Sequence, residues 1–284
     1  MLLSFQFIFN ILLGQSCVGC KRLGTLLCQE CEENLPSSLE RRLPGNIITC
    51  LSYRDERVRK LIGMLKFRSA SSVAGPLGRI LSERMLEDLG DSLFFSGMIR
   101  NEDFSGKHSV SRRSGSRSVE EKNPHHTAPL LLLVPVPLSP ARLRMRGYNQ
   151  AELLARALLN HATSTAQHGS PTSARAGGIF FILQSFLPRP KSNFLSSREL
   201  SSPFELAMNA LTKVRDTKRQ VETASRDERL LNLRGAFRAD PKRVCNRHVI
   251  LIDDVATTGT TLLEGKRSLL TAGAASVTCL ALAH

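Results

Sequence analysis

The sequence predicts an α/β fold, with a central, mostly parallel sheet flanked by helices and a small metal-binding module in front of it. Three observations carry the prediction. Residues 249–283 read as strand, small-residue loop, helix and strand, which makes a βαβ unit. An earlier apolar run, Leu130–Val134, has the length and uniformity of a strand buried on both faces. Ahead of both stand two Cys-x-x-Cys pairs, Cys17/Cys20 and Cys28/Cys31.

A chain of 284 residues with 42% apolar content has room for one full α/β domain and a small additional module. We place the module at residues 1–45 and the larger domain at 46–284. The formal net charge of +14 favours acidic partners such as phosphates, nucleic acid or anionic lipid, although the cations are dispersed along the chain. The seven cysteines are uneven, four of them within residues 17–31, which is not the framework of a secreted disulfide domain. Residues 1–13 are apolar, but no basic segment precedes them and the run is too short to cross a bilayer. Burial against the module is expected of them, with no transmembrane segment and a cytoplasmic location.

Along the chain, the double Cys-x-x-Cys segment comes first. Each pair sets two thiolates on one turn, and two such turns supply a closed tetrahedral Zn²⁺ site with no open position for catalysis. Cys17, Cys20, Cys28 and Cys31 are therefore the candidate ligands of a structural zinc, with Gly19 and Gly24 allowing the turns and Lys21 and Arg22 offsetting the thiolate charge. Residues 46–85 read as a strand followed by two helices. In the first helix Val58, Leu61, Ile62 and Leu65 recur on one face. The second is expected over Ser72–Leu89, with Gly90 as its stop.

Residues 91–129 are rich in Ser, Arg, Lys and Glu and read as a disordered insertion. After Leu130–Val134, Pro135 and Pro137 force an extended exit, and a helix follows over about Asn149–Asn160. Residues 161–205 read as a second disordered insertion around the apolar island Ile179–Leu183. The final unit has its strand at 249–253, its loop at 254–259, its helix at 260–272 with Gly273 just past the end, and its last strand at 277–283.

The loop of that unit carries the chemistry. Ligands of open parallel sheets bind outside the carboxyl ends of the strands. There the backbone N–H groups of Ala256, Thr257, Thr258, Gly259, Thr260 and Thr261 can cradle a phosphate, and the threonine hydroxyls add donors. Asp253 and Asp254 would repel that phosphate, but they suit neutral sugar hydroxyls and a hydrated divalent cation. Phosphate and diol together specify a ribose 5-phosphate.

Residues 249–261 resemble the phosphoribosyl diphosphate (PRPP) signature of type I phosphoribosyltransferases. The resemblance implies that Asp253 and Asp254 hold the ribose hydroxyls and that Ala256–Thr261 hold the 5′-phosphate, with Mg²⁺ accompanying PRPP. Further blocks extend it: Leu65–Phe67, Val134–Pro137, Arg146-Gly147-Tyr148-Asn149-Gln150, Arg215–Gln220, Arg229–Asn232 and Gly235–Phe237. With the cysteine pairs they run in the order of the competence protein F (ComF) family, which this chain resembles. That family implies a zinc-ribbon-like module fused to a type I phosphoribosyltransferase fold, in proteins linked to DNA uptake during natural transformation. The two insertions depart from its compact pattern.

On that fold, residues 135–150 would form the diphosphate loop. Arg146 is then the first candidate for the diphosphate clamp, with Asn149 and Gln150 available for polar ligand groups or, for Asn149, for helix capping. Arg215, Lys218 and Arg219 would lie on a flap that closes over the diphosphate. No residue stands out as a general base, and the acceptor has no legible signature. Two readings remain: transfer of phosphoribosyl from PRPP to an acceptor, or a non-catalytic PRPP sensor serving single-stranded DNA or DNA-uptake proteins.

Overall fold

The computed structural model describes residues 15–38, 42–67, 70–95, 131–168, 204–215 and 233–284. Its main sheet has the strand order β1-β2-β8-β7-β3-β4. The strands are β1 (Arg42–Leu43), β2 (Ile47–Leu51), β3 (Leu131–Pro135), β4 (Phe204–Leu206), β7 (His248–Val255) and β8 (Ser276–Ala283). Only the β1–β2 pairing among these is antiparallel. A second, two-stranded antiparallel sheet pairs β5 (Leu211–Lys213) with β6 (Phe237–Ala239).

The apolar runs become central strands because both faces of the sheet are covered. Alternation along each strand divides the interior into two cores. Ile250, Ile252, Leu131, Leu133, Leu280 and Leu282 face one core, while Val249, Leu251, Leu132, Val134, Cys279 and Ala281 face the other. The first core is closed by helices α2 (Glu56–Leu65), α3 (Ala70–Phe95) and α5 (Gln150–His168). The second is closed by α7 (Thr260–Thr271), the short helix α6 (Pro241–Val244) and the β5–β6 pair.

Local chemistry sets the helix ends. Asp55 caps α2, its carboxylate accepting from the backbone N–H groups of Arg57 and Val58, and Val58, Leu61, Ile62 and Leu65 are fully buried beneath it. Each such side chain contributes about 1.5–3 kcal/mol by leaving water. The helix α3 does not stop at Gly90 but runs on to Phe95, because glycine inside a helix costs only about 1 kcal/mol and ends it only where a left-handed turn follows. Such a turn does follow α7, where Gly273 takes φ 95° and donates to the Leu270 carbonyl at 3.0 Å. At Gly78 a Cβ would overlap Ala157, so α3 and α5 cross at a distance that only small residues permit.

Other boundaries also differ from expectation. The strand β3 extends to Pro135, α5 continues past Asn160 to His168, and β4 begins inside the stretch read as the second insertion and ends just past it. A short helix, α4 (Pro140–Arg146), lies within residues 135–150, which were expected to form a loop. Its signals were present: Ser139 caps it, Pro140 opens it, and Gly147 closes it at φ 81°. The island Ile179–Leu183, residues 1–13 and most of both insertions lie outside the described residues.

The cysteine segment does not stand apart from the main domain. After Cys28 the chain forms α1 (Gln29–Glu33), and Ser37 then bridges to Leu51 of β2. Val18, Leu26, Leu27 and Leu35 join the same core as Leu61 and Leu77. An ion pair between Arg79 and Glu32 and a bond of 3.2 Å from Arg57 to the Asn34 carbonyl fasten the surface of this junction. Among the described residues, no helix is long and apolar enough to cross a membrane.

Candidate ligand site and metal cluster

The candidate ligand site lies where β7 ends. Both flanking strands run parallel to β7, so its carboxyl end opens to one side of the sheet, and the strand extends through Asp253 and Asp254 to Val255. The turn that follows is anchored at both ends. Ala256 N–H donates to the Ala283 carbonyl at 2.9 Å, and Leu263 N–H reaches the Gly259 carbonyl at 2.9 Å. Gly259, at φ 73°, is the cap of α7, and a Cβ there would overlap the buried side chain of Ile47. The hydroxyls of Thr258 and Thr260 are 3.0 Å apart. The turn thus brings backbone N–H groups and two hydroxyls to the first turn of a twelve-residue helix, a geometry suited to a phosphate.

The two acids are in unlike settings. Asp254 is buried and its Oδ2 meets Lys66 Nζ at 3.1 Å. Asp253 is half-buried at the strand end, where burial and the neighbouring Asp254 carboxylate hold its carboxyl well above the usual carboxylate range. An ionised Asp253 therefore needs a cation or several donors beside it, which a divalent ion or a sugar diol would supply. Lys66 follows the last residue of α2 and belongs to the Leu65–Phe67 block. Nothing in its local sequence distinguished it from the other cations of that helix.

The Arg146–Gln150 block flanks this end of the sheet. Val136 N–H donates to the Ile252 carbonyl at 2.8 Å, which sets the exit of β3 beside the approach to Asp253. Asn149 caps α5, its Oδ1 accepting from Ala151 N–H at 3.1 Å, while its Nδ2 donates to the Val136 carbonyl at 3.0 Å. Asn149 is therefore bonded into the scaffold. Arg146 donates to the buried Gln150 at 2.8 Å. The Tyr148 hydroxyl donates to the carbonyls of Leu65 and Phe67 and so ties the block to the segment bearing Lys66.

Arg215 is exposed at the end of β5 and donates to the Arg234 carbonyl at 2.9 Å, so the two ends of the intervening segment stand together. Lys218 and Arg219 lie outside the described residues. Glu264 on α7 accepts from Gly235 N–H at 2.6 Å and from Arg267 at 2.7 Å. Burial would raise its carboxyl, but Arg267, the Gly235 N–H and Arg234 together hold it below its ordinary value. The base of that segment is thereby tethered to the helix that begins with the threonine turn.

In the front module the four sulfurs of Cys17, Cys20, Cys28 and Cys31 lie within 4.8 Å of one another. Cys28 Sγ is 3.7 Å from Cys17 Sγ and 3.6 Å from Cys20 Sγ. Zn–S bonds of about 2.3 Å in a tetrahedron give edges of about 3.8 Å, so the cluster is able to hold zinc. Against the upward effect of burial, the N–H groups of Cys28, Cys20 and Gly19 bring the Cys17 thiol down to about 6. Hydrogen bonding to Cys28, with burial, pushes Cys31 up to about 12. A Cβ on Gly19 would meet Cys31 Sγ at 2.6 Å, so the residue there must be glycine.

Of the two cations expected beside the cluster, Lys21 reaches the Val18 carbonyl at 3.3 Å and Arg22 faces Glu30 at 3.6 Å. Arg57 stands at the cluster as well. Asp55 foremost, with a smaller contribution from the Cys31 sulfur, keeps its guanidinium firmly protonated.

A mostly parallel sheet whose central strand delivers two acids and a threonine turn to a helix start, behind a four-cysteine cluster, defines the class. The family model described as the phosphoribosyl transferase domain matches residues 194–284. The chain therefore carries a phosphoribosyl transferase domain, and β2 and β3, which lie outside the match, extend its sheet on both sides of the β7–β8 pair. No curated protein matches the chain.

Proposed function

We propose that the end of β7 binds PRPP or a related phosphoribosyl ligand, as a protein resembling the competence protein F family. The reading rests on one arrangement: Asp253 and Asp254 at a parallel strand end, followed directly by the Ala256–Thr261 turn into α7. In it the turn holds the 5′-phosphate and the two carboxylates accept from the ribose hydroxyls. Lys66 offsets the charge of Asp254. Arg146 swings from Gln150 to the diphosphate, with Arg215 and Lys218 as the further candidates for that clamp. The acids also suit a hydrated Mg²⁺, which when bound would neutralise charge on the diphosphate. The cysteine cluster holds a structural Zn²⁺.

Titration of the zinc-loaded chain with PRPP in the presence of Mg²⁺ tests this by calorimetry. Binding heat is expected for the wild type and is lost in Asp253→Asn/Asp254→Asn with the circular dichroism spectrum unchanged. Equal heats for the two proteins would refute the assignment.

A second reading, binding of single-stranded DNA, is favoured by Arg142 and Arg144. Both are exposed on α4 and pair with no acid among the described residues. It requires affinity that falls steeply with salt and weakens when both are replaced by alanine.

A further inference from the structure

The cysteine cluster and the end of β7 are joined by one helix. α2 has ten residues, a length of about 15 Å, and a different site lies at each of its ends. Arg57 stands at the first. Its Nη2 donates to the Asn34 carbonyl at 3.2 Å and to Asp55 Oδ2 at 2.9 Å, and its Nε donates to Asp55 Oδ1 at 3.1 Å. A Cβ on Gly19 would meet Cys31 Sγ at 2.6 Å and Arg57 Cδ at 3.9 Å, so Arg57 borders the same turn as that sulfur. At the far end Lys66 Nζ lies 3.1 Å from Asp254 Oδ2, while Asp254 Oδ1 accepts from Val255 N–H at 2.9 Å. Between the ends, Val58, Leu61, Ile62 and Leu65 pack in the core that also holds Val18, Leu26, Leu27 and Leu35 of the cysteine segment.

We propose that Arg57 is a positioning residue for the ligand site, and that zinc in the cysteine cluster raises the affinity of the end of β7 for its phosphoribosyl ligand, with α2 as the connecting element. The proposal rests on the PRPP reading of that site. Two distinct sites and one shared element are what such coupling requires.

The links run through named contacts. Ordered turns at Gly19 and Cys31 hold Arg57, Arg57 orients the Asp55 carboxylate, and that carboxylate accepts from the N–H groups of Arg57 and Val58 in the first turn of α2. When the cysteine turns loosen, the first turn loses its cap and the core around the buried face of α2 loses its fit. The helix carries Lys66 at its other end, where the Tyr148 hydroxyl holds the carbonyls of Leu65 and Phe67 and makes the position of that segment exact. A shift of α2 therefore takes Lys66 away from Asp254. Asp254 is buried, so losing that cation removes both the charge that balances it and the contact that orients it. The two states are then Lys66 paired and Lys66 released, and the ligand favours the first because it needs both acids in place.

The test uses the full chain, zinc-loaded and zinc-stripped, well below its melting temperature and with circular dichroism showing both forms folded. PRPP with Mg²⁺ is titrated by calorimetry, and lysine acetylation is mapped by mass spectrometry without ligand. Stripping zinc is expected to weaken PRPP about tenfold. It should also raise acetylation of Lys66 toward that of the exposed Lys60, with Lys266 on α7 labelled as before. By reciprocity PRPP should raise zinc affinity by the same factor, read by competition with a chromogenic chelator. Arg57→Ala is expected to reproduce the loss of PRPP affinity and the labelling of Lys66 while keeping one Zn²⁺ per chain, and Arg57→Lys to recover part of both. Lys60→Ala removes a charge from the same helix and should leave PRPP affinity unchanged. Full PRPP affinity in the stripped chain or in zinc-loaded Arg57→Ala, or a zinc affinity indifferent to PRPP, would overturn the proposal. No PRPP binding by the zinc-loaded wild type would overturn the ligand reading itself, and is told apart from failure of the link by Lys66 acetylation, which needs no ligand.

Discussion

Asp55 performs two tasks with one carboxylate. It accepts from Arg57 N–H at 2.8 Å and Val58 N–H at 3.3 Å at the start of α2, and it pairs with the Arg57 guanidinium at 2.9 Å. Its carboxyl is held below the ordinary value, foremost by Arg57 and then by these N–H bonds, against the opposing effect of burial. A depressed carboxylate contributes stability that is present above its unfolded value, about 3.9, and is lost as pH falls through its folded value. Asp55→Ala is expected to cost about 1–2 kcal/mol at neutral pH, measured as a lower urea midpoint. The difference from the wild type should shrink as the buffer is taken into the acid range. A constant difference down to the lowest pH at which the protein folds would argue against the carboxylate as its source.

At the scale of the element, two turns depend on glycine for different reasons. Gly259 combines a left-handed φ of 73° with a Cβ direction that points into Ile47, itself fully buried, so neither partner can yield. Gly259→Ala is expected to destabilise the chain by about 1–3 kcal/mol and to weaken PRPP, because the turn would change shape at its helix end. Thermal melts and PRPP titration check the two effects separately. At Gly19 the obstacle is Cys31 Sγ itself. Gly19→Ala is expected to reduce zinc content, as are Cys17→Ser and Cys28→Ser, against one Zn²⁺ per wild-type chain by elemental analysis. Full zinc occupancy in Cys17→Ser would exclude the four-sulfur site.

Over the whole molecule, the module and the sheet share one core. Val18, Leu26, Leu27 and Leu35 pack with the buried faces of α2 and α3, and β1, next along the chain, pairs with β2. Zinc that organises the cysteine turns should therefore stabilise the phosphoribosyl transferase domain as well. Removal of zinc by a chelator is expected to lower the Tm of a single cooperative transition in calorimetry. A separate low-temperature transition, with the main one unmoved, would show that the two fold independently.

The parts legible in the sequence were those whose chemistry is local. Residues 249–261 carry strand, acids, turn glycine and helix start in one continuous segment, and the four cysteines lie within fifteen positions, so adjacency alone assembles each group. Gly273 as a helix end and the buried face of α2 follow from periods and backbone preferences that act over a few residues. Gly90 misled for the same reason: its local preference against helix is about 1 kcal/mol, which the rest of the long helix α3 outweighs. What only the tertiary structure decided depends on residues far apart in the chain. The approach of Lys66 to Asp254, the hold of Tyr148 on Leu65 and Phe67, and the meeting of Ser38, Tyr53, Arg54, Thr257 and His284 around one cleft all require the parallel order of β2, β8 and β7. Parallel pairing joins strands through long crossovers, and no local pattern states which strands will be neighbours. The strand, its two acids and the threonine turn are therefore written in one stretch of sequence, whereas the cleft beside them exists only once the sheet has formed.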